Sequence, residues 1–225
     1  MCIRDRVITE PTIEPISIEE AKEHLRLDDD IDDIPVKTFI KASRLWAEQY
    51  TGRAFITRTV QQYLDSTASI LDPFFEGMRT GVETRAYSNY IELAASPAIS
   101  VTSINYYNES DTQSTWATSN YYVDTINDIG RVYLRDGGTF PTDLRAANGL
   151  EINYTAGYGT ARTDVPEDIR LAMLQYMTFA YEHRGEQEGS SPPMLPKILN
   201  TLLAKYKIMR LGVHPYANIL TTGIS

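Results

Sequence analysis

A glycine-rich turn, an acidic run and three histidines are the features of this sequence that could do chemistry. The turn is "NYTAGYG" (153–159), in which Gly157 and Gly159 flank Tyr158 between an apolar run and a proline-led helix start. A strand-to-helix turn cradles phosphate when further glycines, or a lysine followed by serine or threonine, stand at the helix start. Neither stands here. The next helix is predicted to begin near Asp164, and Asp164, Glu167 and Asp168 fill its first turn. Those carboxylates repel a phosphate and already occupy the positive end of the helix. The glycines are therefore expected to let the chain leave a sheet and turn into a helix.

The acidic run "DDDIDD" (28–33) places oxygens at positions 1, 3 and 5 of a calcium loop, as Asp28, Asp30 and Asp32. Position 6 is Asp33 where glycine is needed for the turn, and position 12 is Phe39 where a bidentate glutamate is needed. The run reads instead as a solvated turn between helices. His24, His183 and His214 stand singly, and the one cysteine, Cys2, excludes an internal disulfide and any paired-cysteine metal site. His183, in the last turn of a helix, suits the negative end of the helix dipole. No G-x-S-x-G elbow is present. No catalytic, cofactor-binding or metal-binding residue is assigned, and the chain is not expected to be an enzyme.

Charge is unevenly spread. The 225 residues carry a net charge of −9, yet no Asp or Glu follows Glu188. Lys197, Lys205, Lys207 and Arg210 make that last stretch +4, leaving −13 on the rest. An acidic body disfavours generic nucleic-acid binding. The most apolar window, residues 171–181, is about half the ~20 residues a bilayer crossing needs. The first residues, "MCIRDR", lack the apolar core of a signal peptide and look like a translated sequencing adapter, so residues 1–6 are expected to be an artefactual or disordered leader.

The elements that must position these residues divide into helix, sheet, helix. Ser17 followed by Glu20 is a capping box that opens a helix with Ile18, Ala21 and Leu25 on its apolar face. A second helix, capped by Asp32 or Asp33, carries Pro35 in its first turn and stops at Gly52. Runs rich in β-formers follow at 55–66, 90–94, 99–108, 120–124, 130–136 and 150–157, with a polar hairpin tip at 108–115 and an irregular stretch at 67–89. Such short strands predict an antiparallel sheet. In the pairs Tyr106–Tyr107 and Tyr121–Tyr122 one ring is expected to pack inward and the other to face out. A long helix capped by Asp164, or alternatively Thr163, carries two apolar faces and ends at Gly185; an amphipathic helix spans 196–212. The fold class is thus α+β: two N-terminal and two C-terminal helices around a central antiparallel β region. The domain is expected over 7–210, with the β region inserted at about 54–157 and a tail at 211–225.

Four phrases stand in order: "ISIEEAKEHLRLDDDIDD" (16–33), "LWAEQYTGRAFITRTV" (45–60), "SPAISVTSINYYNE" (96–109) and "NYTAGYGTARTDVPEDIRLAMLQYMTFAYEHRG" (153–185). Together they resemble the head–tail connector, or adaptor, family of tailed bacteriophages and gene-transfer particles, over roughly residues 8–210. The matching motif positions are Tyr50, Gly52, Arg53, Gly157, Tyr158, Gly159 and Pro166. The irregular stretch 67–89, the leader and the tail depart from the pattern. The resemblance implies a virion structural protein, made in the host cytoplasm and lodged in the neck. There it forms a ring, commonly twelvefold, beneath the portal. It would extend the DNA channel, which DNA traverses without specific binding, and offer a surface to the next neck or tail protein. No cofactor and no membrane are implied. Portal docking is expected from Lys197, Lys205, Lys207 and Arg210 together with Leu211, Val213, Tyr216, Ile219 and Leu220. The competing readings are another neck or tail-completion protein, or a ligand-binding β module outside a virus.

Overall fold

The computed structural model describes residues 4–28, 32–65, 90–184 and 195–208. Local signals build the helices. In α1 (Ile18–Leu25) the Ser17 hydroxyl accepts the Glu20 N–H at 3.1 Å, and the Glu20 carboxylate accepts the Ser17 N–H at 2.8 Å. This is the expected capping box. Helix α2 (Asp33–Thr51) ends where Gly52 turns left-handed, φ 71°, and donates its N–H to Glu48. Helix α3 (Glu167–Glu182) and α4 (Lys197–Ala204) complete the helices of the described residues.

Two caps differ from expectation. Asp32 precedes α2 but its carboxylate makes no cap bond; it accepts the Tyr181 hydroxyl at 2.9 Å, tying the start of α2 to α3. Asp164 does not cap the long helix. It closes a short 3₁₀ turn, Arg162–Asp164, by accepting the Ala161 N–H at 2.8 Å, and Pro166 takes the N-cap position of α3. Each carboxylate thus accepts from a donor outside the helix it was expected to cap: Tyr181 for Asp32 and the Ala161 amide for Asp164. Helix α4 is shorter than predicted, ending in a turn before Ile208. The predicted stop Gly185, the stretch 67–89 and the tail 211–225 lie outside the described residues.

Among the described residues the named strands pair antiparallel throughout. Strands β1 (Arg4–Thr9), β2 (Arg58–Leu64), β8 (Leu150–Ala156), β4 (Ala98–Tyr107) and β5 (Gln113–Thr115) form one sheet in that spatial order. Strands β3 (Tyr90–Glu92), β7 (Arg131–Leu134) and β6 (Tyr121–Asp124) form a second. Residues 4–6, expected as leader, pair with β2. The end of the expected hairpin tip, 113–115, pairs with β4. The alternation along β8 sends Leu150, Ile152, Tyr154 and Ala156 into the space between the sheets. Tyr121 is buried and Tyr122 is 45% exposed, so that tyrosine pair straddles its sheet as expected. Outside, the rings of Tyr90 and Tyr122 both lie against Tyr133, with centroids 5.1 and 5.2 Å away.

Two buried polar side chains pin the sheets together. Gln62, fully buried on β2, donates to the Glu92 carbonyl at 3.0 Å and accepts the Ala94 N–H at 2.8 Å. The Tyr154 hydroxyl accepts the Ala95 N–H at 2.8 Å. Tyr154→Phe strands that buried amide, and the expected cost is about 1–3 kcal/mol, read from the urea midpoint.

A second core lies among the helices. It gathers Ile16 and Ala21, Val36, Ile40 and Ala47 of α2, Ile169, Met173 and Met177 of α3, and Leu199 and Leu203 of α4. Trp46 stacks between Tyr50 (5.8 Å) and Tyr176 (4.6 Å), joining α2 to α3. No helix among the described residues is long and apolar enough to cross a membrane.

Candidate functional site

The chain leaves α2 at Gly52 and leaves the large sheet at Gly157, and these two exits are hydrogen-bonded to each other. Tyr158 donates its N–H to the Phe55 carbonyl at 3.0 Å, and Thr57 donates to the Gly159 carbonyl at 2.9 Å. Gly157 has φ 142°, and a Cβ there would lie 2.6 Å from the Thr57 backbone, so only glycine fits. The Asp164 carboxylate lies over Gly159. The carboxylate that the sequence reading put in the first turn of the long helix thus lies over the glycine turn instead.

Arg53 is the hub of this corner. It is 7% exposed. Its Nε donates to the Tyr206 carbonyl at 2.6 Å, beyond the end of α4, and its guanidinium pairs with Asp128 at 3.2 Å on the β6–β7 connection. Beside it, the Tyr158 hydroxyl is buried; burial pushes its pKa up and Arg53 draws it back. Ile208 donates its N–H to the Thr51 carbonyl at 2.9 Å. Lys207 Nζ lies 5.0 Å from the centroid of the Tyr50 ring. Six of the sequence-predicted positions, Tyr50, Gly52, Arg53, Gly157, Tyr158 and Gly159, therefore belong to one junction, where α2, the large sheet and the end of α4 meet. Pro166 stands at the start of α3.

The basic residues of the proposed docking set do not share one environment. Lys197 is exposed in the first turn of α4. Lys205 pairs with Asp168 on α3, and that hydrogen bond lowers the pKa of the carboxyl and raises that of the ammonium. Lys207 rests on Tyr50. Arg210, Leu211, Val213, Tyr216, Ile219 and Leu220 lie outside the described residues. Arg53→Ala is expected to release the end of α4: amide exchange over 197–208 should quicken by about tenfold or more, with a loss of about 1–3 kcal/mol. Unchanged exchange there would mean that the other contacts of this segment, Leu199 and Leu203 in the core with the Lys205–Asp168 and Ile208–Thr51 bonds, hold it without Arg53.

Sequence reasoning missed two polar clusters. Arg44 and Glu48 form a buried hub on α2, signalled only by their i,i+4 spacing. Glu151, 5% exposed on the other face of β8, accepts from Tyr107 at 2.8 Å, Asn153 at 2.8 Å and Asn105 at 3.3 Å. Burial works to raise its pKa, but these donors together hold it below the usual carboxylate range. Nothing in the local sequence marks it. Among the described residues no group of three His, Cys, Asp or Glu is placed to hold a metal ion.

The sequence profile of the phage gp6-like head-tail connector proteins matches residues 15–129. The match opens just before the Ser17 cap and runs through α1, α2, Arg53 and the Asp128 that Arg53 holds. No curated protein sequence matches. Three solved chains from gene transfer agent (GTA) particles share the fold. One, from the neck of an empty GTA particle computed with C6 symmetry, is 20% identical with a TM-score of 0.69 over 92% of this chain and 97% of that one. Another, from the virion of a native GTA particle, is 18% identical with a TM-score of 0.69 over 92% and 96%. A third, from the neck of a native GTA particle computed with C12 symmetry, is 18% identical with a TM-score of 0.64 over 94% and 97%. The likeness thus spans both the helical core and the sheets, while the profile covers just over half of the sequence; the chain belongs to the phage gp6-like head–tail connector family.

Proposed function

We propose that this chain is a virion structural protein of the neck: a connector that closes into a ring beneath the portal, extends the DNA channel and presents the far face to the next neck or tail protein. The family match across α1, α2 and Arg53 carries this reading. The GTA neck chains of the same fold come from reconstructions with C6 and C12 symmetry, which supports a closed ring, commonly of twelve copies. Such a ring is built from head-to-tail contacts between two different patches. A body of −13 suits a channel wall, because negative surfaces make no lasting contact with phosphate. The role needs no catalysis and no cofactor.

The test is electron microscopy of the protein mixed with its portal. Coaxial stacked rings are the expected result, and no association under assembly conditions would sink the reading. The portal contact is assigned to Lys197, Lys205, Lys207 and Arg210 with the apolar residues of the tail. Deleting 211–225 should weaken portal binding by about tenfold or more while the monomer stays folded. Unchanged affinity would remove the tail from that contact. Because Lys205 and Lys207 already engage Asp168 and Tyr50, charge reversal at Lys197 and Arg210 is expected to weaken the portal more selectively.

A further inference from the structure

Two outward helix faces on this chain complement each other. On α2, Ile34, Lys37, Lys41 and Leu45 recur three, four and four residues apart and so share one face. Ile34 is 77% and Leu45 48% exposed, and both lysines are exposed. This face turns away from Val36, Ile40, Ser43 and Ala47, which are buried in the helical core. On α3, Leu171 (41% exposed) and the exposed Glu182 lie eleven residues apart, three turns of helix, on the side opposite Ile169 and Met173. Among the described residues, Lys37, Lys41 and Glu182 make no ion pair within the chain.

We infer that these faces are the two halves of the ring contact: the α2 face of one copy seats on the α3 face of the next. The inference rests on the ring reading above. One face joins exposed aliphatics to cations, the other an aliphatic to an anion, and they point from different helices of one body. That is what a heterologous contact needs, and a two-fold contact does not. The spans match as well. Ile34 to Leu45 and Leu171 to Glu182 are each eleven residues, about 16 Å of helix. With the two helices antiparallel and Leu45 against Leu171, Glu182 of one copy falls opposite Ile34 and within a turn of Lys37 of the other. The aliphatics supply the desolvated centre and the charges select the partner and its register.

The experiment compares ring assembly of the full chain, alone and on its portal, by mass photometry and negative-stain microscopy. Leu45→Arg, which sets a charge against Leu171, and the double variant Lys37→Glu/Lys41→Glu, which sets carboxylates toward Glu182, should each cut the assembled fraction by about tenfold or more. Adding Glu182→Lys to the double variant should restore rings, which a folding defect could not do. Circular dichroism checks that each monomer keeps its helices. Full assembly of both variants overturns the inference and leaves the ring standing. Absence of rings from the unmutated chain, alone and on portal, overturns the ring and this contact together.

Discussion

Arg44→Met is expected to cost about 3–5 kcal/mol, the range for breaking a buried ion pair from one side. Arg44 is 1% exposed. Its Nε and one terminal nitrogen donate to Glu14 at 2.7 and 3.3 Å, and the other terminal nitrogen donates to Glu48 at 3.0 Å. Glu48 also accepts Arg58 at 2.9 Å and the Phe55 N–H at 3.0 Å. Burial disfavours the Arg44 charge, yet the hydrogen bonds to Glu14 and the attraction of Glu48 more than offset it, so its pKa is raised. Methionine fills much of the volume but leaves two carboxylates short of a cation. The residue joins the segment before α1, helix α2 and the start of β2, so the loss should appear in global unfolding. For a chain of this size roughly 10 °C of melting temperature follows. Arg44→Lys should recover only part, because one ammonium cannot serve both carboxylates in the plane the guanidinium fits. A shift below ~1 kcal/mol in Arg44→Met would show that water reaches Glu14 and Glu48 freely.

Gly157→Ala is expected to cost about 3 kcal/mol or more, or to prevent folding. Two penalties coincide there. At φ 142° an L side chain is strained, and the added carbon would sit 2.6 Å from Thr57 Cα and N. Thr57 cannot withdraw without breaking its bond to the Gly159 carbonyl. Gly137→Ala is the built-in control. Gly137 also has a positive φ, 76°, but nothing lies within 4 Å of its added carbon, so only the backbone penalty of about 1–2 kcal/mol remains. Equal destabilisation by the two substitutions, followed in urea, would show that the approach of Thr57 contributes nothing.

What could be read from the sequence was local. The Ser17–Glu20 box, the stop at Gly52 and the β-former runs that became β6, β7 and β8 each rest on residues close in the chain, and each stands in the structure. Gly157 was legible as a corner because glycine pairs between an apolar run and a proline have few other uses. The misreadings share a cause. Strand β5 is three polar, exposed residues with no apolar period to find, and it exists because β4 offers them an edge. The polar start of β1 pairs with β2 across more than fifty residues. Asp32 and Asp164 are good cap residues that found other donors, one of them on a helix 149 positions away. The same limit hid the partners of Arg53. Its place in the "YTGR" phrase was evident, but Tyr206 lies 153 residues on, and only the folded chain brings them together.

That junction also has a mechanical meaning. A pull on residue 208 does not peel α4 away turn by turn. It loads the Arg53–Tyr206 bond, the Thr51–Ile208 bond and the Lys205–Asp168 pair side by side, spreading the force into α2, α3 and, through Asp128, the small sheet. Bonds stressed in parallel share a load that the same bonds in series would meet singly. The C-terminal end of α4 is therefore moored like a cleat rather than hinged, and whatever grips the chain beyond it tugs on the whole body at once.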